Sequence, residues 1–179
     1  MIYKQGERRQ IKSVLLSIQP KWCELIFNGQ KTIEVRRSFP RQLETPFDVL
    51  VYCTKGKSFL YKNPNNGELF LDSNGGYRGG DYENRYLTQK VIGSFVCDKV
   101  EEIMVKADCA TTNGEHWKLL KIAKEACLSK QELKDYIRVG ESGYGWHITS
   151  PKLFDKPREL SEFGITRAPM SWCYVEQAP

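Results

Sequence analysis

The sequence predicts an α+β domain: a small β-barrel of about five or six strands with helices packed around it. Three observations point there. Short apolar runs and stretches of period-two alternation recur along the chain, as in Lys31 to Arg37 and Tyr144 to Thr149. Helical stretches with recognisable start and stop residues separate them. Gly93 interrupts an apolar-rich run from Gln89 to Ile103, where it permits the bulge or close approach that bending a sheet requires.

The elements follow in order. Met1 to Gln10 carries Lys4, Arg8 and Arg9 with little apolar content and reads as a flexible basic arm, so a single domain spans residues 11–179, with order beginning near Ile11. Val14, Leu15, Leu16 and Ile18 make a strand that ends at Pro20, a residue suited to the first turn of a helix. A helix over Pro20 to Asn28 places Trp22, Cys23, Ile26 and Phe27 at helical spacing and stops at Gly29. From Lys31 to Arg37, Ile33 and Val35 face one way and Thr32, Glu34 and Arg36 the other. Phe47 to Cys53 is a further strand.

The Gly- and Asn-dense stretch near residues 63–83 reads as a mobile loop. After the strand from Gln89 to Ile103 come two helices, Glu115 to Cys127 and Lys130 to Val139. Ser129 and Glu132 form a capping-box pattern at the start of the second, which ends before Gly140. Strands over Tyr144 to Thr149 and Met170 to Val175 complete the chain.

Composition narrows the function classes. The longest apolar run is a few residues, far from the roughly 20 a membrane helix needs, and no apolar core follows the basic N-terminus as in a signal peptide. A cytoplasmic location with no membrane partner follows. The six cysteines, scattered through apolar segments, are expected as reduced thiols. No CxxC is present, and His116 and His147 stand far from co-ligands, so neither a metal nor another cofactor is expected. His147, alone on a strand, reads as a satisfied structural residue. A net charge of +5 and a pI of about 8.8 favour an anionic partner.

The stretch Gly29 to Arg37, GQKTIEVRR, concentrates the chemistry. Glu34 and Arg36 lie two apart on a strand, about 6.5 to 7 Å between Cα atoms, and so present opposite charges side by side. Arginine offers a planar fork to phosphate or a base edge, and a carboxylate accepts from an exocyclic amine. An exposed pair that merely neutralises itself is the competing structural explanation.

The run from Leu15 to Arg37, with Gly29, Lys31, Glu34 and Arg36 as G-x-K-x-x-E-x-R, resembles the opening of ASCH domains. Tyr144 to His147 and Arg167 to Val175 are similar to the terminal strands of that family's bacterial and prophage members, so the resemblance covers about Lys12 to Val175. It implies a PUA-like barrel with a cleft between barrel and helices, suited to single-stranded RNA or a nucleoside. Some relatives are proposed RNA binders and some are reported to cut RNA. One hydrolyses the acetyl amide of acetylated cytidine, using the motif lysine, a threonine three residues on and a helical glutamate. Lys31 matches the lysine, but Glu34 stands at the threonine position and Ala126 at the glutamate position, with Glu125 adjacent.

In the binding reading Glu34 and Arg36 read a flipped base in the cleft and an aromatic residue stacks on it. In a metal-independent ribonuclease Lys31 stabilises phosphate charge while Glu34 or Tyr144 handles protons. In a nucleoside amidohydrolase Glu34 activates water and Lys31 polarises the carbonyl. Lys31 is central to all three, its stem expected at the barrel end and its ammonium in the cleft. The resemblance puts Ser17, Lys21 and Tyr144 around the cleft, with Thr32 beside the motif. Trp22 and Trp117, at helical spacing among apolar neighbours, are expected in the core. Trp146 and Trp172, in β segments near Arg167 and Ser171, are candidates to line the cleft, and Arg167 and Ser171 are candidate contacts with them.

Overall fold

β1 (Ser13–Ile18) is buried at every position, because apolar layers cover both of its faces. Val14, Leu16 and Ile18 enter the principal core, whereas Leu15 points into a second layer on the other side. Pro20 then opens α1 (Pro20–Phe27). Gly29, at φ +77°, reverses the chain out of the helix into β2 (Ile33–Arg36). The computed structural model describes residues 13–74, 85–105 and 113–176. The expected basic arm and the start of order at Ile11 lie outside them.

β3 (Phe47–Cys53) runs parallel to β1, with α1 and β2 in the crossover between them. β6 (Val91–Met104) and β7 (Ser142–Arg158) form a long antiparallel ladder. β8 (Trp172–Val175) pairs antiparallel with β1. Among the described residues these six strands make one sheet in the order β2-β7-β6-β3-β1-β8. β2 and β8 are its edges, so the expected barrel is open along one seam. Side chains link the two edges: Trp172 Nε1 donates to Ser38 Oγ at 3.0 Å, and the Gln42 N–H to Tyr174 Oη at 3.2 Å.

The principal core, built on Leu16, Val49, Val51, Phe95 and Trp146, is covered by α1. On the opposite face of β2, Ile33 and Val35 pack with Leu119 and Ile122 of α2 (Asn113–Glu125) and with Leu133 and Ile137 of α3 (Lys130–Ile137). Ser129 and Glu132 form the expected capping box. A third cluster joins Leu15, Leu50 and Val175 to the segment around the 3-10 turn Leu160–Phe163.

Part of the stretch expected as a mobile loop is ordered. β4 (Phe59–Lys62) and β5 (Leu69–Asp72) form a hairpin whose turn is the Asn-rich segment. The Asn28 amide substitutes for a strand neighbour, donating to the Leu69 carbonyl and accepting the Leu69 N–H, both at 3.0 Å. β7 likewise extends well beyond Thr149, because bulges in β6 let the ladder bend and continue through Leu153 to Arg158.

At Gly93 the close approach is explicit. A Cβ there would fall against the Lys152 carbonyl and 2.9 Å from the Phe27 ring. Gly93→Ala should therefore cost about 1–3 kcal/mol by overpacking. Urea denaturation measures this, and an unchanged midpoint would show that β6 and β7 can part without penalty.

Candidate functional site

The reversal after α1 determines where the motif goes. The backbone N–H groups of Gln30 and Lys31 both donate to the Leu25 carbonyl, at 2.8 and 2.9 Å, tucking Lys31 beneath the helix. Its side chain is 3% exposed, and Nζ donates to the Ala126 carbonyl at 2.7 Å, at the end of α2. The same ammonium lies 3.4 Å from Glu34 Oε2 and 5.0 Å from the centre of the Trp22 ring. Arg36 Nη2 meets Glu34 Oε1 at 2.9 Å and donates to the Ser17 carbonyl at 2.7 Å.

Strand alternation turns Glu34 and Arg36 inward while Ile33 and Val35 pack under α2 and α3. The result is a buried Lys31–Glu34–Arg36 cluster in which Glu34 sits between two cations. Its desolvation is costly and only good geometry offsets it, so the cluster adds little net stability compared with an apolar filling. Arg36 Nε is buried without a hydrogen-bond partner. A donor left in that condition costs about 1–3 kcal/mol.

Above the cluster opens a pocket of about 570 Å³. Trp22 of α1 forms part of its wall, and Glu132 and Tyr136 of α3 another part. Arg37 fixes Tyr136 by donating to its carbonyl from Nε and Nη2, at 3.0 and 2.8 Å, with the guanidinium over the ring. Ser17 lines the pocket with its hydroxyl donating to the Pro169 carbonyl at 2.7 Å. Gln19, Thr54, Pro169 and Met170 complete the rim.

Of the residues expected at the site, Ser17, Lys31, Glu34 and Arg36 converge on this pocket. Lys21 is exposed beside it, its Nζ 4.5 Å from the Trp22 ring centre. The others do not line it. Thr32 is exposed and its backbone is engaged by Glu125 and Ile148. The Tyr144 ring packs against Phe39 at a tilt, with centroids 4.7 Å apart. Ser171 offers its carbonyl to the Ser17 N–H, and Arg167 is exposed on the segment leading to β8. The Glu125 and Ala126 side chains also stay outside, and Ala126 contributes only its carbonyl.

The tryptophans exchange roles. Trp146, a candidate for the cleft, has no exposed surface and packs edge-on to Phe47 at 5.8 Å. Trp172 lies at the seam between Trp146 and Tyr174. Trp22, expected in the core, reaches the pocket, and Trp117 is 68% exposed on α2. Helical spacing shows which helix face is apolar but not whether a cavity interrupts what covers it. Beyond their i, i+4 spacing on one helix face, nothing local in the sequence singles out Glu132 and Tyr136, because the capping box fully accounts for Glu132.

His147 is satisfied as expected, with Nε2 2.8 Å from Glu101 Oε1. Burial pushes the Glu101 carboxyl up, but His147, Lys99 and Lys118 together outweigh it and hold the group below the usual carboxylate range. Cys23, Cys53, Cys97, Cys127 and Cys173 are free thiols, and burial pushes that of Cys97 up to about 12. Cys109 lies outside the described residues. Among those residues, no cluster of His, Cys, Asp and Glu is arranged to hold a metal, and no helix is long and apolar enough to cross a membrane.

An open six-stranded mixed sheet with a pocket at its seam, flanked by helices, is an α+β fold. Comparison with solved structures makes this particular. The chain matches the crystal structure of ASCH from Zymomonas mobilis with a TM-score of 0.58 and 18% identity, over 91% of this chain and 87% of that one. A serine-to-alanine mutant of the same protein gives 0.55 and 19%, covering 91% and 87%. A tyrosine-to-phenylalanine mutant gives 0.55 and 17%, covering 91% and 89%. The chain has the ASCH fold. No family model and no curated protein matches the sequence.

Proposed function

We propose that the protein binds single-stranded RNA by taking one unstacked nucleoside into the pocket beside Trp22. The observation that carries this reading is the buried Lys31–Glu34–Arg36 cluster at the base of an aromatic-flanked cavity. Since such a cluster contributes little net stability, a ligand that uses its donors and acceptors gives a physical reason for its presence. The cavity volume falls in the range of small-molecule sites, roughly 300–1,000 Å³. RNA modules commonly recognise splayed bases by stacking them on aromatic rings and reading their edges. The net charge of +5 adds long-range attraction for the phosphate backbone.

Two ammoniums lie near the Trp22 ring, that of exposed Lys21 at 4.5 Å and that of buried Lys31 at 5.0 Å, and a base competes only with the first. An exposed cation–π contact such as that of Lys21 is worth about 0.5–1 kcal/mol, whereas stacking a base contributes about 1–3 kcal/mol.

The test is fluorescence anisotropy with single-stranded RNA at several salt concentrations. Trp22→Ala should weaken binding on the order of tenfold or more, and Trp22→Phe should restore most of it. Affinity that ignores Trp22 at every salt concentration, in a folded variant, rules this reading out. The ribonuclease and amidohydrolase alternatives gain no specific support, since Tyr144 packs against Phe39 outside the pocket and Glu34 is held between two cations. Chromatography of the RNA recovered from the same samples detects any turnover.

A further inference from the structure

The pocket has a second carboxylate with a different standing from Glu34. Glu132 occupies the first turn of α3, where Oε2 accepts the Ser129 N–H at 2.7 Å while Ser129 Oγ accepts the Glu132 N–H at 3.1 Å. These bonds fix its orientation. The Ser129 backbone, then the Ser129 side chain and Lys21, hold the carboxyl below the usual range, so it is ionised at neutral pH. A carboxylate has about four acceptor positions, so the capping box leaves capacity for a ligand.

Charge around the pocket is nearly balanced: Lys31 and Arg36 are opposed by buried Glu34 and, at the exposed rim beside Lys21, by Glu132. An uncharged group suits the interior, and the phosphates stay outside. Donors are also present there. Lys31 Nζ has three, of which one goes to the Ala126 carbonyl and one points to Glu34 Oε2 at 3.4 Å, which leaves one for a ligand carbonyl. A ligand complementary to this set is flat and neutral, with an amine at one edge and a carbonyl at another. Cytosine and guanine meet that description, and uracil lacks the amine.

We infer that Glu132 is a specificity-determining residue, and that it selects a nucleobase carrying an exocyclic amine, cytosine over uracil. This rests on the RNA-binding reading above. Ionised Glu132 accepts from the amine and repels the carbonyl that uracil presents at the same place.

Glu132→Gln isolates the effect, because glutamine also completes a capping box. Its amide oxygen takes the Ser129 N–H and turns the NH2 towards the pocket, replacing an acceptor by a donor. Anisotropy with oligo(C) and oligo(U) RNA of equal length should show the native protein binding oligo(C) about tenfold more tightly. Glu132→Gln, at an unchanged melting temperature, should reverse that order. Native protein without a preference, or a variant that keeps the native one while Trp22→Ala weakens both RNAs, overturns the role of Glu132 and leaves pocket binding intact. If Trp22→Ala alters neither affinity, RNA does not enter the pocket and both readings fall together.

Discussion

Glu34→Ala is expected to lower the stability of the folded protein by about 3–5 kcal/mol, because it leaves Lys31 and Arg36 as buried cations without their shared anion. Their side chains are 3% and 11% exposed, so water does little to relieve them. Replacing all three together, as Lys31→Met, Glu34→Leu and Arg36→Met, should recover most of that loss. An apolar set of similar volume needs no charge compensation. The triple variant should nevertheless fail to bind single-stranded RNA. Urea denaturation of both variants beside the native protein tests the first half, and anisotropy the second. A Glu34→Ala protein within about 1 kcal/mol of native stability would mean that the cluster is well hydrated and behaves as an exposed pair.

Trp146→Ala should cost a similar amount, about 3–5 kcal/mol, by opening a large cavity in the principal core. Trp146 lies opposite Glu34 in the β2–β7 ladder, so it supports the strand beneath the cluster without reaching the pocket. Trp146→Phe should therefore keep native RNA affinity once folded, despite a lower denaturation midpoint. Should Trp146→Phe lose affinity as Trp22→Phe keeps it, the placing of the two rings would have to be exchanged.

The site was legible where it is local. Lys31, Glu34 and Arg36 fall within six consecutive positions, and a glycine stop followed by strand alternation orders them without help from the rest of the chain. The same holds for β1, α1, β3 and the Ser129 cap, whose signals are periodicity and punctuation. Glu34 and Arg36 were expected on a polar strand face, and that face instead turns into the domain. Period two separates two faces but does not say which one a cavity will adjoin.

Periodicity and punctuation along the chain thus specify the α+β class, the order of the main elements and the three charged residues at the heart of the site. Which aromatic groups meet them depends on how distant elements pack. Tyr136 and Glu132 arrive from a helix about a hundred positions downstream of the motif, and with Trp22 of α1 they line one pocket. Local spacing is set by backbone geometry over a few residues. The composition of a pocket is set by how distant elements pack, and the open seam between β2 and β8 is a property of the whole sheet that no single segment encodes.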